Sequence, residues 1–417
     1  MSSRPGLSCP RRGRGGMNGM AGTGAGSVMA DATAPTVAIY RTQILPLSET
    51  FVRDQARGLR RWRPVLLGER TIGQLPLDGM DVRALHDGPP TFVQRLTGMA
   101  ARMLERPVPG MLNLARGFAP RLVHAHFGFD GVEAWPLAHA LGVPLLVTLH
   151  GSDITTRMEW FARGGGGQRW RAYPRRLRHL AGIAQVNYVA VSHSIREAAI
   201  RAGLPEQRIH VCPIGIDLTR FHPGGPPMAE RAPVILFAGR LVEKKGCRYL
   251  IEAFRSVRAQ VPDARLLIAG DGPERDMLAG LAADIGGITF NGRYSAAQMQ
   301  PLLAQARVFC LPSVTAANGD AEGMGLVLLE AQACGVPVVT SARGGATEGI
   351  EHGRTGFAFA EGDVAALSAY LIRLLRDDAL ATRMSEAGPV FVAKHHDLSY
   401  WAGMLEKIYD SMTGRTS

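Results

Sequence analysis

The stretch Glu322-Gly-Met-Gly-Leu-Val-Leu-Leu-Glu330 decides the fold assignment. Gly323 and Gly325 allow close approach of the backbone where a loop enters an apolar helix. The N-terminus of such a helix offers unpaired N–H groups and a positive dipole end, and both favour a phosphate. Glu330 follows Glu322 by about two helical turns, so both carboxylates lie on roughly the same side. They can accept hydrogen bonds from a ribose or sugar diol, although a capped amphipathic helix with solvated acids fits the same residues.

Around this stretch, short apolar runs typical of buried strands alternate with helical patterns. A first series has strands at Thr36–Tyr40, Pro64–Leu67, Leu122–Ala125, Leu145–Leu149, Tyr188–Val191 and Ile209–Cys212. A second has them at Val234–Ala238, Arg265–Ala269, Ile288–Phe290, Val308–Leu311, Val336–Thr340 and Gly356–Phe359. This alternation predicts parallel sheets with helices on both faces. We therefore predict an α/β fold of two doubly wound, Rossmann-like parallel-sheet domains that face each other across a ligand-binding cleft.

Composition divides the chain into four segments. Residues 1–34 are rich in Gly, Arg, Ser and Ala and lack apolar periodicity, so we expect a disordered N-terminal tail. The loop His222-Pro-Gly-Gly-Pro-Pro227 has no helix or strand potential and separates a first domain, residues 35–225, from a second, residues 226–395. The last segment, residues 396–417, contains a helical stretch, and one arrangement open to it is packing against the first domain.

Composition and charge narrow the function classes. Hydrophobic residues make up 46% of the 417 residues and charged residues 20%, which is ordinary for a globular protein. The five Cys are isolated from one another, so neither a zinc ribbon nor a disulfide scaffold is supported. No run of uncharged apolar residues approaches the roughly 18 that a transmembrane helix needs, so we predict no transmembrane helix. The net charge is +11, and residues 1–225 hold 28 basic against 15 acidic side chains, which implies an anionic partner or surface for the first half.

Two stretches of the first domain combine arginine with apolar and aromatic residues. Residues 156–180 contain seven Arg against one acid, Glu159, with Trp160, Phe161, Trp170 and Tyr173 interleaved, and residues 91–120 have a similar character. Such residues suit a membrane interface. We expect a cytoplasmic protein docked peripherally on the anionic inner face of the plasma membrane, with a solvated helix face as the alternative. No recognised nucleic-acid module is present, so we expect no nucleic-acid partner.

Arg240 and Lys245 follow the predicted strand Val234–Ala238. Residues just past the carboxyl end of a parallel strand face the cleft. Two cations there can neutralise a diphosphate leaving group, because Arg offers a planar fork and Lys a point charge. A surface turn with solvated bases is the alternative interpretation of this motif.

Histidines end two neighbouring predicted strands. His150 follows Leu145–Leu149, while His124 and His126 end the preceding strand, so two strands can deliver imidazoles to one cleft. A lone His at a strand end is more often structural. Metal binding by this group is a rival hypothesis, but the chain contains no D-x-D triplet of the kind that holds a divalent cation.

Together these motifs resemble the retaining glycosyltransferases of family 4, which have the GT-B fold. In the second half the resemblance is carried by Gly215-Ile-Asp217, Phe221-His-Pro223, Gly239-Arg-Leu-Val-Glu-Lys-Lys-Gly246, Ala269-Gly-Asp-Gly-Pro273, the Glu pair around Gly-Met-Gly, and Ala333-Cys-Gly-Val-Pro-Val338. In the first half Ser48-Glu-Thr-Phe51, His124-Ala-His126-Phe-Gly128 and His150-Gly-Ser-Asp153 are most similar to the subgroup that builds bacterial exopolysaccharide or colanic-acid-type repeat units.

The resemblance implies an acceptor-binding first domain and a second domain that binds a nucleoside-diphosphate sugar. It implies catalytic roles for His150 and Glu322, and donor binding by Arg240, Lys245, Gly323, Met324, Gly325 and Glu330. Further donor or acceptor contacts are expected from Ser48, His126, Asp153 and Arg293. No cofactor or metal ion is expected, and the expected acceptor is a polyprenyl-diphosphate-linked saccharide.

The loop after the first strand departs from the family, many of whose members have a Gly-Gly pair there. This chain has Pro46-Leu-Ser-Glu-Thr50, in which Ser48 is a plausible N-cap for the next helix. Two other function classes stay open. A Rossmann oxidoreductase requires G-x-G-x-x-G after the first strand, and the chain has Arg41-Thr-Gln-Ile-Leu45 instead. A catalytically silent sugar-nucleotide-binding subunit would keep the fold without turnover.

Overall fold

The computed structural model describes residues 33–46, 49–73, 75–341 and 343–415. Ser48 therefore lies outside the described residues, and so does the predicted tail except for its last two residues. The first domain alternates strands and helices in the order β1 (Thr36–Ile44), α1 (Thr50–Gly58), β2 (Arg63–Thr71), β3 (Asp81–His86), α2 (Phe92–Met103), α3 (Met111–Arg116), β4 (Leu122–His126), α4 (Gly128–Leu141), β5 (Leu145–Leu149), α5 (Met158–Ala162), α6 (Tyr173–Ala181), β6 (Val186–Ala190), α7 (His193–Arg201) and β7 (Ile209–Val211).

These strands form one parallel sheet in the order β3-β2-β1-β4-β5-β6-β7. The chain winds outward in one direction from β1 to β3 and in the other from β4 to β7, so the order reverses between β1 and β4. Every residue of the interior strand β5 is buried, because helices cover both faces of the sheet. The carboxyl ends of β1 and β4, where a doubly wound sheet opens a crevice, carry Arg41 and His126.

The second domain repeats the architecture with β8 (Val234–Ala238), α8 (Cys247–Gln260), β9 (Arg265–Ala269), α9 (Arg275–Ala282), β10 (Ile288–Gly292), α10 (Ala296–Gln305), β11 (Val308–Leu311), α11 (Leu326–Ala333), β12 (Val338–Ser341), β13 (Gly356–Phe359), α12 (Val364–Arg376) and α13 (Asp378–His395). Its parallel sheet has the order β10-β9-β8-β11-β12-β13, so the reversal falls between β8 and β11. The predicted fold class is confirmed.

The last helix, α14 (Leu398–Thr413), returns to the first domain. Ala402, Leu405 and Tyr409 join the apolar cluster of that domain. The buried carboxylate of Glu406 accepts hydrogen bonds from three successive N–H groups, those of residues 60, 61 and 62, at 2.7, 2.6 and 3.1 Å. These N–H groups follow α1, so the C-terminal helix satisfies donors that the first domain leaves unpaired.

Strand β3 is the element of the first sheet that the sequence patterns missed. Its residues are half-buried or exposed, because β3 is an edge strand. An edge strand does not show the continuous apolar run by which a central parallel strand is recognised. Within the described ranges, none of the helices combines the length and apolar character that crossing a bilayer requires.

Candidate active site

A cleft of about 890 Å³ separates the two domains, and residues from both domains line it. Arg240 reaches it from the turn after β8, and Lys245 from the short 3-10 helix that follows. Gly246 ends that 3-10 helix with φ 63°, and a Cβ at this position would collide with the carbonyl of Pro312. Glycine is therefore required to bring the turn that carries Lys245 against the loop after β11.

Lys245 Nζ lies 2.5 Å from Glu322 Oε2 and forms an ion pair with it. Ser313 Oγ donates a hydrogen bond to the same oxygen at 3.3 Å. Burial opposes ionisation of Glu322, but Lys245, Lys244 and these hydrogen bonds outweigh it and lower the pKa of the carboxyl to about 2. Glu322 is therefore a carboxylate at any physiological pH. Lys244 contacts Asp320 at 3.0 Å, so neither lysine is without a carboxylate partner.

Arg240 differs from the two lysines, because its side chain is exposed and has no ion-pair partner among the described residues. A guanidinium without a partner at the cleft is free to bind an anion bidentately. The sequence prediction that Arg240, Lys245 and the two glutamates face one hollow agrees with the geometry, since all four line the cleft.

The two glycines of the decisive stretch have different tasks. Gly325 adopts φ 71° as the N-cap of α11 and lines the cleft, as does the buried side chain of Met324. Gly323 does not line the cleft: a Cβ there would collide with the carbonyl of His150 in the first domain. Its own carbonyl accepts a hydrogen bond from Ser192 Oγ at 2.8 Å. The close backbone approach that Gly323 permits is therefore made by the facing domain, and its expected donor contact stays a prediction.

Glu330 lies in the second turn of α11, whereas Glu322 lies in the loop before that helix, so the predicted two-turn helical spacing of the pair is wrong, although both residues line the same cleft. Burial raises the pKa of its carboxyl to about 7, although the nearby Arg220 opposes the shift. Arg220 also forms an ion pair with Asp54 at 3.5 Å. Glu322 and Glu330 thus face one cleft with very different proton affinities, a separation that is typical of functional carboxylates.

His150, at the carboxyl end of β5, lines the cleft. His126 Nδ1 lies 3.1 Å from His150 Nε2, and the two rings stack with centroids 5.3 Å apart. His124 points into the core instead, where Tyr409 and Thr148 hydroxyls each lie 2.7 Å from one of its ring nitrogens. Of the three predicted imidazoles, one therefore lines the cleft, a second supports it, and the third belongs to the core.

Burial keeps these imidazoles neutral. It lowers the pKa of His150 and His126 well below the usual range, and the charge of Arg41 acts in the same direction. His150 can therefore exchange hydrogen bonds at neutral pH but carries no positive charge there. In the part of the chain that the structure describes, no group of three His, Cys, Asp or Glu side chains is arranged to hold a metal ion.

Asp153 is fully buried and positions the loop after β5. Its carboxylate accepts hydrogen bonds from the N–H groups of Gly128 and Gly151, at 2.7 and 2.8 Å. It is not among the residues that line the cleft, and it joins the loops after β4 and β5, so the expected ligand contact of Asp153 stays a prediction without a contact in this structure. Arg293 does line the cleft, at its rim, where it is exposed and contacts Asp271 at 2.9 Å.

The loop that departs from the family is joined to Arg41. Glu49 forms an ion pair with Arg41 at 2.5 Å, and Asp130 forms a second one from the opposite side. The guanidinium of Arg41 also donates a hydrogen bond to the carbonyl of His126 at 2.8 Å. The carboxylate of Glu49 thus organises the first-domain wall of the cleft through Arg41.

Two phenylalanines line the cleft beside His150 and had no predicted role. Phe127 and Phe51 place their ring centroids 4.5 and 4.9 Å from that of His150. Phe127 has φ 70°, a left-handed conformation that costs energy for a residue with a Cβ. Both residues stood in motifs noted in the sequence, Ser48-Glu-Thr-Phe51 and His124-Ala-His126-Phe-Gly128, but an apolar residue in a motif does not reveal whether it packs in the core or faces a cleft.

Solved structures with the same two-domain architecture show that the chain has the GT-B fold. Sucrose-phosphate synthase from Thermosynechococcus elongatus covers 91% of this chain and 99% of its own with a TM-score of 0.74 at 21% identity. HepE of Anabaena, in complex with UDP and glucose, covers 90% and 100% with a TM-score of 0.72 at 19% identity. At these identities the likeness concerns the fold alone.

Two family models divide the chain between them: "Glycosyltransferase Family 4" matches residues 48–220 and "Glycosyl transferases group 1" matches residues 221–391. The GDP-mannose-dependent alpha-(1-6)-phosphatidylinositol monomannoside mannosyltransferase of Mycolicibacterium smegmatis is 34% identical over 279 residues, which are 64% of this chain and 69% of the relative. The putative colanic acid biosynthesis glycosyltransferase WcaL of Salmonella typhimurium is 35% identical over 273 residues, 64% of each chain.

The amylovoran biosynthesis glycosyltransferase AmsK of Erwinia amylovora is 32% identical over 269 residues, 63% of each chain. The chain belongs to glycosyltransferase family 4, and the predicted likeness to the exopolysaccharide and colanic acid subgroup is confirmed. Alignments with the curated relatives span between 50% and 70% of those proteins.

Proposed function

We propose that this protein transfers a sugar from a nucleoside-diphosphate sugar to a hydroxyl of a lipid-linked saccharide, with retention of the anomeric configuration. The product would serve bacterial exopolysaccharide or other cell-surface polysaccharide synthesis. One observation carries the proposal: Arg240, Lys245, Glu322 and Glu330 line a single cleft of about 890 Å³ between two Rossmann-like domains. A pair of cations and a pair of carboxylates in one hollow match a diphosphate flanked by two diols.

The donor is bound through its charge and its ribose. Arg240 binds the diphosphate bidentately, and Lys245 approaches it while keeping its contact with Glu322. The N-terminal end of α11, at Gly325 of the cleft, adds its positive dipole end to the attraction for the same anion. Glu330, deeper along α11, accepts hydrogen bonds from the ribose diol. No resident metal ion is required in this arrangement, because protein cations carry the neutralising charge.

The reaction breaks the bond between the anomeric carbon and the diphosphate oxygen, and the electron pair leaves with the diphosphate. Arg240 and Lys245 stabilise the charge that develops there. The sugar gains oxocarbenium character, which the carboxylate of Glu322 stabilises because it stays ionised. The acceptor hydroxyl oxygen bonds to the anomeric carbon on the same face and gives its proton to a phosphate oxygen. Neutral His150 orients the sugar by hydrogen bonding, and His126 fixes the orientation of its ring.

The lipid-linked acceptor is supported by the relatives and by charge. The Mycolicibacterium relative is named for a phosphatidylinositol monomannoside, and WcaL and AmsK are named for colanic acid and amylovoran synthesis. The first half of this chain carries the excess of basic side chains. We infer a polyprenyl-diphosphate-linked saccharide as acceptor and a peripheral position on the anionic inner face of the plasma membrane.

The rival function classes differ in what they require. An oxidoreductase needs a glycine-rich turn directly after its first strand. In this chain the strand continues through Arg41 to Ile44, and Arg41 forms ion pairs with Glu49 and Asp130. A catalytically silent subunit would bind a nucleotide sugar and release nothing.

A panel of UDP- and GDP-sugars, each tested for protection against thermal unfolding and for release of its nucleoside diphosphate, tests the proposal. We expect one donor to raise the melting temperature and to release diphosphate when a lipid-linked acceptor is supplied. Protection without release would favour the silent subunit. Absence of protection by every donor would contradict the proposed function.

A further inference from the structure

The helix α2 exposes its apolar side chains. Six of the ten exposed large apolar residues among the described part of the chain lie between residues 92 and 104, with exposed fractions from 44% to 79%. They are Phe92, Val93, Leu96, Met99, Met103 and Leu104. Isolated apolar residues are normal on a protein surface, but a group of six within 13 residues marks an interaction site.

The orientation of α2 is the reverse of that expected for a helix packed on a core. At about 100° per residue, Phe92, Leu96, Met99 and Met103 share one side of the helix. The buried residues of the opposite side are Gly98 and Ala101, which offer almost no side chain for packing. An amphipathic helix normally turns its apolar stripe inward, so here the stripe is directed at a partner.

Polar contacts hold α2 in this orientation. Arg102 forms ion pairs with Glu69 and with Glu133, the latter at 2.6 Å. At the other end, Thr91 and Gln94 form a capping box, and Gln94 Nε2 lies 3.2 Å from His86 Nδ1. The helix is thus anchored by its polar side, which leaves the apolar side directed outward.

Glu133 also joins α2 to the arginine-rich segment of residues 157–178. Its buried carboxylate contacts Arg176 of α6 at 2.9 Å and Arg169 at 3.6 Å, besides Arg102 of α2. Glu133 therefore joins the helix that carries the apolar face to a segment whose exposed members include Arg163, Arg171, Arg175 and Arg178. Two stretches separated in sequence by more than 50 residues are thus joined through one buried carboxylate, and their exposed residues together are called the docking surface.

We propose that this surface docks the protein on an anionic bilayer, with the apolar face of α2 inserted at the headgroup level and the arginines of residues 157–178 bound to phosphate groups. An exposed apolar helix face flanked by arginine has the chemistry of an interfacial helix. A second copy of the chain fits less well, because a twofold pairing of this face would bring the flanking arginines of both copies together. The inference rests on the proposed lipid-linked acceptor and specifies the surface that reaches it.

The position of the surface suits that acceptor. Glu133 lies in the second turn of α4, the helix that begins directly after β4 at the edge of the cleft. Phe129, in the first turn of α4, packs against Trp170 and Tyr173 of the arginine-rich segment. The arginine-rich segment therefore packs against the start of α4, two residues after Phe127 of the cleft, and a saccharide on a lipid carrier can extend from the bilayer towards His150.

Co-sedimentation of the full chain with vesicles tests this proposal. One set contains phosphatidylglycerol and phosphatidylcholine, the other phosphatidylcholine alone. The test variant combines Leu96→Glu and Met103→Glu, which keep helix propensity at exposed positions. The matched control is Met277→Glu, an exposed apolar position on α9 of the second domain. We expect wild type and control to bind the anionic vesicles and the double variant to bind at least tenfold more weakly, because two apolar side chains no longer insert.

Unchanged binding of the double variant, or equal binding of wild type to both vesicle types, would overturn the docking surface. A wild-type dimer in gel filtration that the double substitution dissociates would do so as well. Nucleotide-sugar protection of the same variants separates the two proposals. If wild type is protected by a nucleotide sugar but does not bind vesicles, only the docking proposal is contradicted. If it binds vesicles but no donor protects it, the proposed glycosyltransferase function is contradicted.

Discussion

The two carboxyl groups of the cleft differ in pKa, which is about 2 for Glu322 and about 7 for Glu330. Only Glu330 therefore changes its charge near neutral pH, and donor binding should depend on that change. The pKa of its carboxyl is about 7, because burial disfavours the charged form. A ribose diol donates hydrogen bonds to a carboxylate, so donor binding requires the ionised form. The ionised fraction falls from about 0.9 at pH 8 to about 0.1 at pH 6, and we expect the dissociation constant of the nucleotide sugar to rise about tenfold between them.

The same group affects stability with an unusual sign. The pKa of Glu330 in the folded protein is about 7 against an ordinary value of 4.5, so the folded state binds more protons between these two values. The free energy of unfolding therefore falls as the pH rises through this window, by roughly 3 kcal/mol from this group. The Glu330→Gln substitution removes that loss, since glutamine does not ionise. We expect the variant to be more stable than wild type at pH 8 while binding the donor more weakly.

Isothermal titration calorimetry with the protecting nucleotide sugar, at pH 6, 7 and 8, measures the binding arm, and chemical denaturation at the same pH values measures stability. The phosphates of a nucleotide sugar do not titrate in this range. Glu252→Gln, on the surface of α8, is the matched control. A dissociation constant that is independent of pH in wild type, or the same pH dependence in Glu330→Gln, would refute the role of Glu330.

The remaining predictions concern Lys245 and Gly323. Lys245→Ala should lower turnover at least tenfold while the protein stays folded, because a charge-assisted contact with the leaving diphosphate is lost. The control is Arg248→Ala, which removes an exposed cation three residues further along the chain. Wild-type turnover by Lys245→Ala would contradict the role assigned to Lys245. Gly323→Ala should reduce donor protection and turnover although each domain folds, because its Cβ collides with the backbone of the facing domain; circular dichroism and thermal melts compare it with Gly280→Ala, whose Cβ meets no neighbour, and equal activity of the two would show that the domains do not need this contact.

The fold followed from the sequence because buried parallel strands leave a strong signal. Strands such as Val234–Ala238 and Leu145–Leu149 are continuous apolar runs, and their structural bounds agree with the predicted ones. The edge strand Asp81–His86 left no such signal, since water reaches one side of it. The helix of residues 398–413 was recognised, but its attachment depends on Glu406 meeting N–H groups more than 340 residues away, which periodicity cannot reveal.

The site was predicted in part, for a similar reason. Arg240, just past β8, and Glu322, in the loop before α11, were expected in one cleft, and both line it. Gly323 and Asp153 occur in equally distinct motifs, yet they serve contacts between loops and domains. A sequence motif records that a residue type is needed, and both a ligand and a close backbone contact impose such a need. Phe127 shows the converse, because its strained φ is visible only in three dimensions.

Donor binding to Arg240→Ala tests the central claim most directly, because Arg240 is exposed and has no ion-pair partner among the described residues, so its removal leaves the fold intact. Calorimetric titration with the nucleotide sugar that protects wild type should show a dissociation constant at least tenfold higher in the variant, with an unchanged melting temperature of the free protein. Equal affinities of the two proteins would contradict a cleft in which this cation grips the donor diphosphate.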